Sequence, residues 1–377
     1  MKSKIWITTF LVIVIGALFM VAMLVIKIDP FFHYHKPDTN TYYYDLNNQR
    51  SQNNGITKNF DYNALITGTS MTENFKTSEF DEIFGVNSIK VSFSGGTYKE
   101  INDNVRLALS SNKELKTVVR ALDTYNLWND KDAMRQDLGD YPTYLYDNNM
   151  LNDVKYIFNR NVIFQRIYPM LAAVNDEDFS PGITSFDDYS NWMAPYSFGI
   201  NAVCPEGVEV QTPGEPVHLT EYEKDVIVAN VEQNVIALAA EYPDVTFYYF
   251  YPPYSIMYWQ SLLADGTIYR QIEAEQLAIE MILEYDNIKL YSFNNLTEIT
   301  TDLNHYKDIT HYAEWINSMV LQYMHDGTGL LTEENYEQYL EQITTFYTTY
   351  DYSQLNNQVD YESDYDAATL LMEKISE

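Results

Sequence analysis

Ser70 is the side chain best placed to act as a nucleophile, because it follows the end of a predicted buried strand. The apolar residues 64–66 (Ala-Leu-Ile) stop abruptly at the polar turn 67–70 (Thr-Gly-Thr-Ser). This pattern is typical of a buried parallel strand followed by a tight turn. In open α/β sheets, ligands bind beyond the carboxyl ends of the strands, where Ser70 would lie. A turn that only caps a helix has the same pattern, so the nucleophile needs a base elsewhere in the chain.

Asp308 and His311 could supply that base and its orienting carboxylate, because they lie three residues apart just before an apolar helical pattern. Residues i and i+3 share one face of a helix or turn, so the carboxylate can hold one imidazole nitrogen while the other faces a hydroxyl. Such a pair fixes the tautomer of His311 and stabilises the imidazolium that forms when Ser70 loses its proton. The alternative is structural, with Asp308 as a helix N-cap and His311 as an ordinary polar residue at the helix start.

Five short apolar segments predict the sheet that would position these residues. Between them lie the helical patterns 98–110 and 268–285, and a capping box at 220–223 opens a long helix that runs to about residue 240. Strand–helix alternation implies right-handed crossovers with helices on both faces, which is a three-layer, flavodoxin-like α/β domain with a parallel sheet. The predicted strands are 62–67, 88–93, 117–122, 245–251 and 288–292.

The alternation is interrupted by an insertion and followed by an extension. Residues 124–219 separate the third strand from the long helix and are too many for a loop, so we predict an inserted, mainly helical subdomain with helix around 150–171. A segment inserted after a strand end would lie over the site as a lid. The α/β domain with its insertion is expected to span 59–326. Residues 327–377 read as an acidic, tyrosine-rich extension, with a helix at 333–347 and a loosely held tail after residue 350.

The N-terminus predicts a membrane anchor. Residues 5–26 are almost wholly apolar and carry no charge, and about 22 helical residues span about 33 Å, which matches a bilayer core. A cleavable signal peptide has a shorter apolar region and a small-residue cleavage site, and no clear site of that kind is present. We therefore expect a single-pass signal anchor over 1–28, with the body of the protein outside the cell. Residues 29–58, with His33 and His35, are expected to form an aromatic interfacial segment and a polar juxtamembrane connector.

Composition and charge exclude several classes of function. The chain has 23 Lys and Arg against 54 Asp and Glu, and its formal net charge of −31 argues against nucleic acid as a partner. A single cysteine, Cys204, leaves neither an internal disulfide nor a cysteine metal site. The six histidines form no His-Glu-x-x-His motif. We therefore expect no metal and no cofactor. The 34 tyrosines suit either a glycan-binding surface or an aromatic core.

Together, these motifs resemble the SGNH (GDSL-like) hydrolase superfamily. Within it, the chain is most similar to the membrane-anchored branch that contains the teichoic-acid D-alanine transfer protein and the alginate-type O-acetyltransferases. The resemblance covers roughly residues 1–326. Besides the N-terminal anchor and the Asp308-x-x-His311 pair, the matching segments are 68–72 (Gly-Thr-Ser-Met-Thr), 94–96 (Ser-Gly-Gly), 29–32 (Asp-Pro-Phe-Phe) and 251–255 (Tyr-Pro-Pro-Tyr-Ser).

The resemblance implies a catalytic role for each of these residues. Ser70 would be the nucleophile, His311 the general base and Asp308 its orienting carboxylate. The backbone N–H of Ser70, with that of Gly95 or Gly96, would form the oxyanion hole. The resemblance also implies a cell-envelope glycan or teichoic acid as substrate, and a multi-span membrane acyltransferase as partner.

One motif departs from the superfamily. The third block usually reads Gly-x-Asn and supplies an oxyanion donor, whereas residues 122–126 here are Leu-Asp-Thr-Tyr-Asn. Asn126 is displaced, and Asp123 would be a poor donor unless it is protonated. Either Asn126 reaches in from a shifted turn, or only backbone groups stabilise the oxyanion. The sequence therefore predicts an envelope O-acyl transferase or a plain esterase, and leaves open a non-catalytic glycan-binding or assembly subunit.

Overall fold

The computed structural model describes residues 2–137, 141–147, 149–194 and 196–361. The chain divides into two compact units. The N-terminal unit combines residues 1–61 with 136–185, and the sheet unit combines residues 62–135 with 186–377. Ser70, Asp308 and His311 all belong to the sheet unit.

The sheet unit is built on five parallel strands, which confirms the predicted fold class. Each strand begins and ends within two residues of its predicted bounds: β1 Ala64–Gly68, β2 Ser88–Ser92, β3 Thr117–Ala121, β4 Thr246–Tyr251 and β5 Ile288–Ser292. The order across the sheet is β2-β1-β3-β4-β5, the flavodoxin-like order. The order reverses between β1 and β3, so ligands are expected beyond the carboxyl ends of these two strands.

Helices connect and cover these strands. The predicted capping box is present, since the Thr220 hydroxyl accepts from the Glu223 N–H and the Glu223 carboxylate accepts from the Thr220 N–H. A π-helical stretch, Glu232–Ile236, interrupts the long helix that follows. The α-helices of the unit are Thr77–Phe84, Tyr98–Ser111, Ile200–Val203, Glu221–Val231, Ala237–Glu241, Ile256–Ala264, Ile268–Leu283, Thr297–Thr300, Glu314–Asp326 and Tyr336–Thr349.

The hydrophobic core holds the helix that follows His311. Apolar residues of helix Glu314–Asp326 recur at helical spacing and are fully buried, among them Ile316, Met319 and Val320. They pack in one cluster with β1 and with helix Thr77–Phe84. Burial of a side chain of this size stabilises a fold by about 1.5–3 kcal/mol. The helix start, and the turn before it, are therefore fixed relative to the end of β1.

The N-terminal unit contains the apolar helix Lys2–Ile28, which is long enough and apolar enough to cross a membrane. A membrane anchor and a signal sequence share these features. The segment that follows is folded around Asp29, whose carboxylate accepts the N–H groups of His33, Tyr34 and His35 and the hydroxyl of Tyr156.

The segment predicted as a single insertion, 124–219, is divided between the two units. Residues 136–185 pack with the N-terminal residues, because strands Tyr43–Tyr44 and Gly182–Ile183 pair in parallel and Tyr156 bonds to Asp29. Residues 124–135 and 186–219 remain with the sheet. The other helices of the N-terminal unit are Gln49–Asn59, Val154–Ile157, Tyr168–Ala173, the π-helix Val162–Ile167 and the 3-10 turn Thr143–Leu145.

The C-terminal extension remains folded beyond the end of its predicted helix. Its helix is Tyr336–Thr349, and the next turn, Tyr352–Asn357, buries Tyr352 and Leu355. The predicted loose tail is therefore wrong for this turn, because apolar side chains hold it in place. Residues 362–377 of that predicted tail lie outside the described residues.

Candidate active site

The end of β1 presents Ser70 at the tip of a tight turn. The strand ends at Gly68, whose φ of +151° and lack of a side chain suit close packing, since a Cβ there would lie 2.7 Å from Thr72 Cγ2. The 3-10 turn Ser70–Thr72 follows, and Thr72 Oγ1 donates to the carbonyl of Thr69 at 2.9 Å. Thr69 and Thr72 are fully buried, whereas Ser70 is partly exposed. The turn is rigid at its base and open at the serine hydroxyl.

Ser70, His311 and Asp308 form a continuous hydrogen-bonded chain. The distance between Ser70 Oγ and His311 Nε2 is 2.8 Å. On the other side of the ring, His311 Nδ1 lies 2.8 Å from Asp308 Oδ2 and 3.1 Å from Oδ1. A hydroxyl, an imidazole and a carboxylate are thus arranged in the order that acyl-transfer triads require. The structure thus brings together the three residues that the sequence singled out.

Asp308 also shapes the turn that carries His311. Its Oδ1 accepts the backbone N–H of Thr310 at 2.9 Å and that of His311 at 2.8 Å. Partial burial would raise the pKa of the Asp308 carboxyl, but its hydrogen bonds and its attraction to His311 outweigh burial and hold the pKa well below its usual range. Asp308 is therefore ionised at neutral pH, as a carboxylate that stabilises an imidazolium must be.

The loop around His311 is fixed from both sides. Tyr306 and Tyr312 form an antiparallel bridge, and the Lys307 N–H donates to the carbonyl of His311 at 3.0 Å. The Trp192 ring meets the His311 ring edge-on, with a centroid distance of 5.8 Å and an interplanar angle of 90°. Trp192 Nε1 donates to the carbonyl of Ser70 at 3.4 Å. Trp192 belongs to the predicted insertion and packs beside the site, where a lid was expected.

A buried carboxylate, that of Asp123, holds the turn that carries Ser70. Asp123 follows β3 and is fully buried; it accepts the Thr69 hydroxyl at 2.6 Å and the Tyr254 hydroxyl at 2.8 Å. The Tyr98 hydroxyl donates to its carbonyl at 3.0 Å. Burial raises the pKa of Asp123, although the hydroxyl donors and the nearby His311 oppose that effect. Asp123 therefore anchors Thr69, the residue next to Ser70.

The groups expected to stabilise an oxyanion fall into two sets. In the described part of the chain, the N–H groups of Ser70 and Gly95 donate to no protein acceptor. By contrast, the Gly96 N–H donates to the Phe93 carbonyl at 2.6 Å, and Asn126 Nδ2 donates to the Gly96 carbonyl at 3.0 Å. The N–H groups of Ser70 and Gly95 are thus the better candidates for an oxyanion hole. The Gly96 N–H and the Asn126 amide instead hold the loop of residues 94–96, called here the glycine loop.

The glycine loop is fixed beside the serine turn. The Phe93 N–H donates to the Gly68 carbonyl at 2.8 Å, so the segment after β2 starts next to the end of β1. Gly95 has φ +56°, a left-handed conformation that favours glycine. Arg135 Nη1 covers this residue and donates to the Ser94 carbonyl at 2.5 Å. The loop conformation therefore depends on glycine at position 95.

Three residues near the triad were not predicted to have a role of this kind. Asp123 drew attention only as an unsuitable oxyanion donor, because its hydroxyl partners Thr69 and Tyr254 lie far from it in sequence. Trp192 lies in an irregular segment with no periodicity, and Lys307 directly precedes Asp308. Within the described ranges, no three His, Cys, Asp or Glu side chains cluster in a way that could hold a metal ion.

Comparisons with known proteins give a weak structural likeness and no sequence match. No family model matches the sequence, and no curated protein sequence matches it. A solved structure from Streptococcus pneumonia, reported for a proposed platelet activating factor, aligns with 74% of this chain and 90% of its own. The identity is 11% and the TM-score is 0.37. A likeness at this level carries no argument about activity, so the resemblance to SGNH hydrolases rests on the residues described above and stays a prediction.

Proposed function

We propose that this protein is a serine acyltransferase or esterase of the SGNH type. The observation that carries the proposal is the chain of contacts from Ser70 Oγ to His311 Nε2, and from His311 Nδ1 to Asp308, each at 2.8 Å. It lies beyond the carboxyl end of β1, at the point where the strand order of the sheet reverses. Nucleophile, base and orienting carboxylate in this relation suit acyl transfer through a covalent intermediate.

The geometry suggests the following mechanism. Ser70 Oγ attacks the carbonyl carbon of an O-acyl ester while His311 Nε2 takes the hydroxyl proton. The N–H groups of Ser70 and Gly95 donate to the oxyanion. As the carbon–oxygen bond to the leaving alcohol breaks, His311 returns the proton to that oxygen, and the acyl group stays on Ser70. An acceptor hydroxyl, or water in an esterase, then attacks the acyl-enzyme while His311 takes its proton. The bond between the acyl carbon and Ser70 Oγ breaks, and His311 returns the proton to Ser70 Oγ.

The proposed setting is the outer face of the cell membrane. There the enzyme would act on O-acyl groups of a cell-envelope polysaccharide or teichoic acid, held by helix Lys2–Ile28 as a single-pass anchor. A multi-span membrane acyltransferase would carry the acyl group across the bilayer. The long apolar helix and the resemblance described above support this setting.

The test in cells compares Ser70→Ala and His311→Ala with the wild-type protein. Each substitution is expected to abolish the envelope O-acylation that depends on this protein. Ser110→Ala, at an exposed serine whose hydroxyl bonds only within its own helix, is the matched control. Unchanged O-acylation in both triad variants would contradict the proposal.

Transfer and hydrolysis can be separated with purified protein and p-nitrophenyl acetate. Fast release of p-nitrophenol without any glycan indicates an esterase. Acetyl transfer to an added oligosaccharide, with slow release in its absence, indicates a transferase. Both outcomes require Ser70.

A non-catalytic glycan-binding or assembly subunit is the second candidate. Its support is that two of the predicted oxyanion groups, the Gly96 N–H and the Asn126 amide, are already bonded within the protein. Retained glycan binding by folded protein whose Ser70 does not react with a fluorophosphonate would favour this candidate.

A further inference from the structure

Lys307 carries an ammonium group that is held between two aromatic rings beside the triad. Its Nζ lies 3.9 Å from the ring centroid of Trp192 and 3.7 Å from that of Tyr196. Cation–π contacts of this kind attract the ammonium to the faces of both rings and so fix the position of its charge. No carboxylate of the described residues lies within ion-pairing distance of Lys307 Nζ, and no described acceptor takes a hydrogen bond from it.

The position of this cation is tied to that of the base. The Lys307 N–H donates to the His311 carbonyl at 3.0 Å, so both residues belong to one bonded loop. The Trp192 ring that covers the ammonium also packs edge-on against the His311 ring, and its Nε1 donates to the Ser70 carbonyl. One indole thus contacts the nucleophile, the base and the cation. A substrate whose ester reaches Ser70 Oγ would bring its neighbouring groups close to Lys307.

We infer that Lys307, with Trp192 and Tyr196, forms a subsite for a negatively charged oxygen group of the substrate, a phosphate or a carboxylate adjacent to the acyl ester. This inference rests on the proposed function, because it places the anion next to an ester at Ser70. An anion can accept a charge-assisted hydrogen bond from an N–H of the ammonium that does not face either ring. A second cation would instead be repelled by the ammonium already between the rings.

The case for an anion rests on the local position of Lys307 and not on the charge of the whole chain. With a formal net charge of −31, the protein repels anionic polymers at long range. An anionic substrate would therefore depend on a fixed cation close to the reaction centre. Burial lowers the pKa of Lys307, although Asp308 and Glu73 oppose this effect. A bound anion would offset part of the unfavourable free energy of burying the charged ammonium. Tyr196 is 49% exposed, so the subsite is open to a large substrate.

The test compares two esters that differ only in charge, with the full-length protein in detergent. The anionic ester is 4-acetoxybenzoate and the neutral ester is its methyl ester. We expect the wild-type kcat/KM to be about tenfold higher for the anionic ester, mainly through KM, because a hydrogen bond to a charged group contributes on that order. In Lys307→Met the ratio should fall towards one, whereas Lys307→Arg should keep it.

The matched control is Lys289→Met, which removes the same charge from an exposed position on β5 of the same unit. It should keep the wild-type ratio. If Lys307→Met does not fold, Lys307→Gln serves in its place. A wild-type ratio of one, or a ratio that persists when Lys307 is neutral, would overturn the subsite.

Two further measurements identify the anion and separate this inference from the proposed function. Preference for 4-acetoxyphenyl phosphate over 4-acetoxybenzoate indicates a phosphodiester polymer, and the reverse indicates a uronic acid; either supports the subsite. If no ester is turned over, the proposed function fails, and calorimetric titration with 4-hydroxybenzoate tests the subsite alone. Binding that is lost in Lys307→Met supports the subsite, and binding that is absent from the wild-type protein overturns it.

Discussion

At the scale of single residues, the carboxylate of Asp308 contacts both the imidazole ring of His311 and the backbone of its turn. It accepts an imidazole N–H from His311 and the backbone N–H groups of Thr310 and His311. The prediction that Asp308 could be the helix N-cap is wrong, because Ala313 occupies that position; Asp308 instead holds the turn before the helix. Asp123 plays a related part, where it holds the hydroxyls of Thr69 and Tyr254. One carboxylate thus holds the turn of His311, and the other holds the residue before Ser70.

Asp308→Asn separates orientation from charge. Asparagine can still accept the two backbone N–H groups, but it cannot hold the imidazolium as a carboxylate does. We expect the rate at which Ser70 reacts with a fluorophosphonate to fall by about 10²–10⁴, while the melting temperature changes by only a few degrees. A labelling rate within twofold of the wild-type rate would show that Asp308 only holds the turn of His311.

At the scale of elements, two helices of the sheet unit bury very different groups. Helix Glu314–Asp326 buries apolar residues and fixes the turn of His311. Helix Ile268–Leu283 buries Glu275, which is 1% exposed and accepts a hydrogen bond from Gln271 at 3.1 Å. Burial raises the pKa of Glu275 to about 7, and the Gln271 donor only partly opposes this. Helix Ile268–Leu283 therefore carries a carboxyl group whose ionisation destabilises the folded protein.

Glu275→Gln should remove a pH dependence of stability. The folded-state pKa of Glu275 lies above the unfolded value, so its stabilising effect is complete below about pH 4.5 and is lost as pH rises towards 7. We expect the variant to be more stable than wild type at pH 8, by up to about 3 kcal/mol, and to show little difference at pH 4.5. Denaturant unfolding at the two pH values checks this. An equal stability difference at both would contradict it.

Local pattern was sufficient for the elements and for part of the site. The apolar runs of the strands, the capping box at Thr220 and the Asp308-x-x-His311 spacing are all signals within a few residues, and they located the strands, a helix start and the contact between Asp308 and His311. Trp192 and Asp123 could not be placed in this way, because their partners are more than 50 residues away in sequence. The division of segment 124–219 also depends on a long-range contact, the bond between Tyr156 and Asp29.

At the scale of the whole molecule, the apolar helix is exposed along most of its length and buried only at its end. Residues such as Leu11 and Phe19 are exposed, whereas Val25 and Ile28 are fully buried within the N-terminal unit. Asp29 and Phe32, which follow, are also buried. The first part of the helix thus suits a membrane, and its last turn belongs to the folded unit.

Two truncated chains test this division. A chain that begins at Met23 should remain soluble without detergent and melt at the wild-type temperature, because it keeps Val25, Ile28 and Asp29. A chain that begins at Thr39 loses Asp29 and Phe32, and losing one buried phenylalanine side chain alone costs about 3–5 kcal/mol. Limited proteolysis should then cleave it within residues 136–185. Equal resistance of the two chains to proteolysis would contradict the assignment of Val25, Ile28 and Asp29 to the folded unit. Full-length protein found in the soluble fraction would contradict membrane anchoring by the first part of the helix.

The most direct test of the proposed activity is site-mapped reaction with a fluorophosphonate. Folded wild-type protein is incubated with the probe, digested, and the modified peptide identified by mass spectrometry. Modification at Ser70 that is absent from Ser70→Ala, strongly slowed in His311→Ala and lost on unfolding is the predicted result. Folded protein that is unmodified at Ser70, or modified there equally fast without His311, would contradict a nucleophilic serine at the end of β1.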